Sequence, residues 1–318
     1  MEGRAIVFGI RRENGEGSDA FSEMRMREGM NEQDLESVTG IRRSFALSDR
    51  VEATLLAERL EILSGASRSA TALGGGLSFG DRLWQGDTRL EWRRLDRDPA
   101  AIVDNTADSL MSTISFARKV GGGWTGLVRN YALLTDDESR SGRQFQNRFQ
   151  LGAAYRPIGR NDFDMLLRYE NKREQNSELA NAERRQVDIF SASMNFHPSR
   201  RLWVSGRIAA KDVSERLVNI EDDYRAWLLA SRIIFDIGSR FDVSAMASVM
   251  GTPNDAARDE AYGLELGYLL RENIWLSIGH NFTGFYDRDL SGTEQTDSGW
   301  YLRMRMKFDE KLLQKNKD

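Results

Sequence analysis

Strict alternation between large apolar and polar residues recurs along the whole chain, and it restricts the chain to strands with two unlike faces. In "NIWLSIGHNFTGF", Ile274, Leu276, Ile278 and Phe282 share one face. In "DFDMLLRYENK", Phe163, Met165, Leu167 and Tyr169 oppose Asp164, Arg168, Glu170 and Lys172. "RLWVSGRIAAK" sets Leu202, Val204 and Ile208 against Ser205, Arg207 and Lys211, and "RFDVSAMASV" and "AYGLELGYLL" repeat the pattern. One segment, "EATLLAERLEIL" (52–63), also fits helical spacing. A short turn before it and a Gly-Ser stretch after it favour a strand.

The connections fall into two classes. Short ones include "LSDR" (47–50), "FGDR" (79–82), "VGGG" (120–123), "HPSRR" (197–201) and "IGSR" (237–240). Long polar ones alternate with them: "REGMNEQDLES", "DRDPAAIVDNTAD", "LTDDESRSGR", "REQNSELANAERR", "VSERLVNIEDD", "GTPNDAARDE" and "DRDLSGTEQTDS". Pro99, Pro157, Pro198 and Pro253 all fall in connections, where no ladder donor is required. Short turns at one end and long loops at the other are the arrangement of a membrane β-barrel.

Aromatic residues cluster at the strand ends. Phe45, Phe79, Phe116, Tyr155, Phe196, Phe235 and Tyr268 precede the short turns, and Trp84, Trp124, Phe163, Trp203, Phe241 and Trp275 follow them. Trp92, Trp227 and Trp300 sit toward the long-loop ends. Trp84 and Trp92, Trp227 and Phe235, and Trp300 and Phe308 are each eight residues apart, which keeps one face and gives about the length of a tilted strand crossing a bilayer. Two aromatic belts are what the two membrane interfaces select. The interface residues expected from this are Trp84, Trp92, Trp203, Trp227, Phe235, Trp275, Trp300 and Phe308.

The fold class expected is all-β, a transmembrane antiparallel up-and-down β-barrel of about 16–18 strands. Residues 1–309 form the barrel and 310–318 a polar tail. A mean hydropathy of −0.55 and 30% charged residues do not oppose this, since only alternate residues face lipid. No apolar run is long enough for a transmembrane helix. A net charge of −4 gives no nucleic-acid signature, and the absence of cysteine removes disulfides, thiolate metal sites and cysteine nucleophiles. "MEGRAIVFGIRR" is not a secretory signal, and the strand count is odd. The expectation is that Met1 is not the natural start, with at least one strand and a surface region upstream.

The segment "LGYLLRENIWLSIGHNFTGFYDRDLSGTEQTDSGWYLRMRMKFDEKLL" resembles the C-terminal outer-membrane β-barrel domain of large bacterial repeat-containing surface proteins. "GMNEQDLESVTGIRRSF" and "GDTRLEWR" extend the resemblance over most of the chain. It implies a Gram-negative-type outer membrane, a role as anchor or conduit, and no catalytic residues. His280 departs from it by standing where an aromatic is expected, and "DEKLLQKNKD" runs on past Phe308, where many such barrels end. The partners expected are outer-membrane lipids, lipopolysaccharide and barrel-assembly machinery, with no nucleic acid and with a monomer favoured.

In the closing strand "WYLRMRMKF", Trp300, Leu302, Met304, Met306 and Phe308 face lipid while Arg303, Arg305 and Lys307 face the interior. A charge on the lipid face at mid-depth costs roughly 2–4 kcal/mol, so the alternation is enforced. The candidates for lining the lumen are Arg89, Arg93, Arg168, Arg207, Lys211, Glu265, Arg303, Arg305 and Lys307, interleaved with Glu58, Glu91, Glu170 and Asp242. Interleaved signs favour a paired ladder bracing the wall over selective charge rings. Chemistry is otherwise sparse. His197 and His280 have no second histidine at ligand spacing, and "GGGLSFG" and "GGGW" lack the Lys and helix of a phosphate loop. Asp287 and Asp289 are too few for a calcium cage, and a salt bridge with Arg288 is favoured. No cofactor, metal or enzyme activity is expected. Three functions follow in order: an anchor for a surface region, a pore or exporter, and an outer-membrane enzyme requiring a His–Ser–acid cluster the sequence does not display.

Overall fold

A computed structural model describes residues 4–14, 17–28, 33–62, 69–96, 106–138, 142–157, 159–177, 183–217, 220–253, 258–271, 273–290 and 298–306. The described residues form seventeen strands: β1 (Arg4–Asn14), β2 (Ser18–Glu28), β3 (Gln33–Ser48), β4 (Val51–Ile62), β5 (Ser69–Gly80), β6 (Trp84–Asp96), β7 (Thr106–Gly121), β8 (Trp124–Asp137), β9 (Gly142–Tyr155), β10 (Phe163–Asn176), β11 (Glu183–Ser199), β12 (Leu202–Leu217), β13 (Ile220–Ile237), β14 (Phe241–Gly251), β15 (Arg258–Arg271), β16 (Ile274–Thr283) and β17 (Gly299–Met306). No described helix is long and apolar enough to cross a membrane. Each strand pairs antiparallel with the next, from β1–β2 through β16–β17. The result is an up-and-down meander. Among the described residues β1 and β17 do not pair, so the sheet is open along that seam. The segment with helical spacing, 52–63, is strand β4 up to Ile62.

Register carries the apolar face from strand to strand. Phe196 pairs with Val204 and Phe163, Val204 with Ile233, Ile233 with Ala245, Ala245 with Leu264, Leu264 with His280, and His280 with Trp300. The opposite face carries Arg168, Arg207, Arg232, Ser244, Glu265, Ser277 and Arg303. A slip of one residue would exchange the two faces wholesale, so the alternation fixes the register. On the first face, residues such as Leu55, Leu73, Leu90, Ile114, Leu151, Ile208 and Leu229 remain exposed, the inverse of a water-soluble sandwich.

Several of the long polar loops expected from the sequence are partly strand, residues 213–217 and 220–223 above all. Only residues 218–219 separate β12 from β13, and residues 138–141 separate β8 from β9. Polar residues there pair across the hairpins: Arg225 with Asp212 at 2.8 Å, Arg143 with Asp136 at 3.0 Å, and Arg216 with Glu221. Charge reads as loop in sequence, yet a two-stranded ribbon standing in water satisfies it equally well.

The sheet is strongly curled. Flat, six strand spacings would put β10 about 29 Å from β16. The segment following Thr283 nevertheless places Arg288 on Glu174 of β10 and Asp289 on Lys172. Five or six residues span at most about 20 Å, and one buried cluster there gathers side chains of β11, β12, β13 and β15, which a flat sheet would spread over about 19 Å. The charged face is therefore concave and the apolar face convex.

Candidate functional site

The concave inner wall is built from charges held in place by their neighbours. On β6, Glu91 is buried between Arg89 at 2.5 Å and Arg93 at 3.0 Å. Side chains two apart on one strand share a face, and this spacing lets one carboxylate bridge two guanidinium groups. On β10, buried Glu170 accepts from Arg148 at 2.5 Å and Gln150 at 3.0 Å, both on β9, with Arg168 at 3.8 Å.

A second cluster centres on Glu265 of β15, which is 3% exposed. Arg232 on β13 donates to it at 2.9 Å, Tyr301 on β17 at 2.9 Å, and Arg303 lies at 3.2 Å. Arg232 also donates to Ser244 of β14 at 3.2 Å. The intervening strands make room with small residues. Gly279 lies opposite Tyr301, and a Cβ there would collide with the Tyr301 ring.

The third cluster was not legible in the sequence. The segment after β16, residues 284–290, folds against the inner wall. Asp287 accepts from Lys211 at 2.6 Å, and its other oxygen accepts from the backbone N–H groups of Asp289 and Leu290 at 2.9 and 2.8 Å. Asp289 accepts from Arg185 through both nitrogens, at 3.2 and 2.6 Å, with Lys172 at 3.4 Å and Lys211 at 3.5 Å. Burial pushes the Asp289 carboxyl up, but the Arg185 hydrogen bonds and the charges of Arg185, Lys172 and Lys211 outweigh it and hold it at about 2. Beneath these ion pairs, Phe285 and Leu290 bury against Val187, Ile189, Ala209, Val213, Leu228 and Ala261. The expected Asp–Arg288 bridge is corrected: Arg288 pairs with Glu174 at 2.8 Å, and the aspartates pair with the wall.

One sequence signal could have found this. In "RRQVDIF" and "KDVSE" the apolar residues Val187, Ile189 and Val213 have the parity of the inner face, opposite to Phe190 and Ile208. Apolar residues inside a polar wall need a cover.

Arg89, Arg93, Arg168, Arg207, Lys211, Glu265, Arg303 and Arg305 all carry inner-face parity. They are not brought into one site: Arg89 and Arg93 pair with Glu91, Arg168 lies beside Glu170, Arg303 pairs with Glu265, and Lys211 pairs with Asp287 and Asp289. Lys307 and Phe308 lie outside the described residues. Trp84, Trp92, Trp227, Phe235 and Trp300 carry outer-face parity. Trp203 and Trp275 do not. Their register partners, Ile234 and Arg305, place them on the inner face at the short-turn end, a correction to the outer belt. Position relative to a turn set that expectation, whereas parity decides the face. Trp203 instead lies against His197, ring centroids 3.7 Å apart with the planes tilted by 43°. His280 faces outward between Phe282 and Trp300, at 4.9 and 4.8 Å.

Along the β3–β10 sector the inner wall is not filled. A cavity of about 1340 Å³ opens there, lined by Glu52, Ser78, Asp87, Arg129, Gln150 and Arg168 among others. No group of His, Asp or Glu with metal-site geometry occurs among the described residues.

No protein-family model matches the chain, and no curated protein matches it. Solved structures do. The alcaligin outer-membrane receptor FauA of Bordetella pertussis superposes with a TM-score of 0.57 at 12% identity, over 87% of this chain and 50% of that one. The chain thus spans about half the length of that receptor. A bacterial polysaccharide outer-membrane secretin gives 0.43 at 10% identity, over 87% of this chain and 92% of its own. The outer-membrane protein OmpT of Vibrio cholerae, lacking loop L8, gives 0.38 at 9%, over 82% and 97%. The chain has the fold of an outer-membrane β-barrel.

Proposed function

We propose that the chain anchors a cell-surface region in the outer membrane of a Gram-negative-type bacterium, as the C-terminal barrels of repeat-containing surface proteins do. The observation that supports this is the segment 284–290, tied across the inner wall by Asp287 and Asp289 to Lys172, Arg185 and Lys211. These ion pairs hold a segment across the inner wall, where an open bore would have to run. The role is non-catalytic. Outer-membrane lipid and lipopolysaccharide cover the convex face, and barrel-assembly machinery inserts it. The chain acts as a monomer.

A second reading, a pore, is favoured by the cavity of about 1340 Å³ along β3–β10. Planar-bilayer recording of the refolded chain separates the two. The anchor predicts no lasting open level, and stable ohmic steps in most insertions would replace it with the pore.

A further inference from the structure

Among the described residues, the seam between β1 and β17 is where the sheet conflicts with the solvent its convex face requires. Unpaired backbone N–H and C=O groups have no partner in hydrocarbon. The side chains mark the same seam. On outer-facing positions of β1, Phe8 and Ile10 are 71% and 80% exposed, and on β17 Trp300 and Leu302 are 75% and 71%. On β15, flanked on both sides, Leu264 and Leu266 are 52% and 46% exposed. Both edge strands lack a neighbour's surface.

Direction identifies what fits. Sixteen successive antiparallel pairings leave β1 and β17 running the same way, from the long-loop end to the short-turn end. The two edges therefore cannot close antiparallel on each other. A second copy in the same membrane orientation offers only edges that run the same way again. A single strand running from the short-turn end to the long-loop end is antiparallel to both.

We propose that the seam is a strand-acceptor site. It takes one membrane-length extended segment of about 9–11 residues, apolar on alternate positions, running opposite to β1 and β17 and pairing with both. This rests on the barrel reading and adds to it that the wall closes at an even number of strands.

The chain has no cysteine, which makes the seam easy to probe. Ile10→Cys is combined in turn with Trp300→Cys, Leu302→Cys and Met304→Cys in the 318-residue chain refolded in detergent micelles. No β1–β17 disulfide is expected. In parallel, a copy of residues 274–283, which run in the required direction, is appended after residue 318. A second variant appends residues 274–306, adding two strands. One added strand is expected to yield a heat-modifiable, faster band on an unboiled gel, together with a disulfide between Ile10→Cys and a cysteine in the copy. Two added strands are expected to yield neither. A β1–β17 disulfide in the unextended chain, or equal behaviour of the two extensions, overturns the proposal. If the unextended chain dissolves without detergent the barrel reading itself fails, which is a different result from a detergent-dependent chain sealed by its own edges.

Discussion

Individual residues decide how the inner wall holds. Glu265 is the shared acceptor of Arg232, Arg303 and Tyr301, so its removal leaves two guanidinium groups without their carboxylate. Hydrogen bonds to a charged group contribute about 1.5–3 kcal/mol each in net terms, and the half-exposed Arg303 recovers part of this from water. Glu265→Gln should therefore cost on the order of 2 kcal/mol, read as a lower urea midpoint for loss of the folded band. Gly279→Ala acts on the same cluster by volume alone. Its methyl displaces the Tyr301 ring, and the Tyr301–Glu265 bond should be lost while the strand register stays intact, as tyrosine fluorescence and strand-specific hydrogen exchange would show. If Gly279→Ala leaves both unchanged, the ring has another resting place. Asp81 shows a residue acting at a turn. Its carboxylate accepts from the N–H groups of Leu83 and Trp84 at 2.7 and 2.8 Å, which holds its pKa below the usual carboxylate range and fixes the entry to β6.

At the scale of elements, the segment 284–290 and strand β16 make opposite demands on polarity. Asp289 sits at about 2 in the folded chain, below its usual value near 4. A depressed carboxyl contributes its stabilisation fully above about pH 4 and loses it as pH falls toward 2, a total of about 2 kcal/mol. Docking of the segment should be insensitive to pH between 5 and 8 and weaken below 4. Protease cleavage within residues 284–298 is the measurement, and Asp289→Asn should give the acid pattern at neutral pH. Cleavage unchanged by the substitution would mean that Phe285 and Leu290 hold the segment without the ion pairs. On β16, Ile278→Arg puts a charge on the convex face and should cost roughly 2–4 kcal/mol, enough to block assembly into vesicles. Gln85→Arg, at an exposed inner-wall position of β6, should assemble. The strands were legible because period-2 alternation records which neighbour lies on which face. The docked segment was not, because its partners on β10, β11 and β12 are 76 to 117 residues distant in sequence. Its aspartates looked like an ordinary polar loop, and only the inverted parity of Val187, Ile189 and Val213 hinted at a cover.

For the molecule as a whole, the central claim is that one face of a single continuous sheet meets lipid and the other meets water and charge. The antiparallel strands and the short turns were readable from spacing, and the strand number only as about 16–18. The inward placement of Trp203 and Trp275 was missed, because nearness to a turn was taken as nearness to lipid. The extent of the hairpins was missed as well, because charge pairs across a ribbon in water look like loop residues in one dimension. The open seam depends on counting every strand, which spacing alone gives only approximately. The most direct test is a spin-label scan along β16, residues 274–283, one cysteine at a time in a chain that contains none. Collision with oxygen reports lipid, and collision with a water-soluble nickel complex reports the aqueous phase. The account predicts strict two-residue alternation, with positions 276, 278 and 280 favouring oxygen and 275 and 281 shielded from it. Uniform access of the nickel complex to both sets of positions, or alternation of the opposite parity, would contradict it.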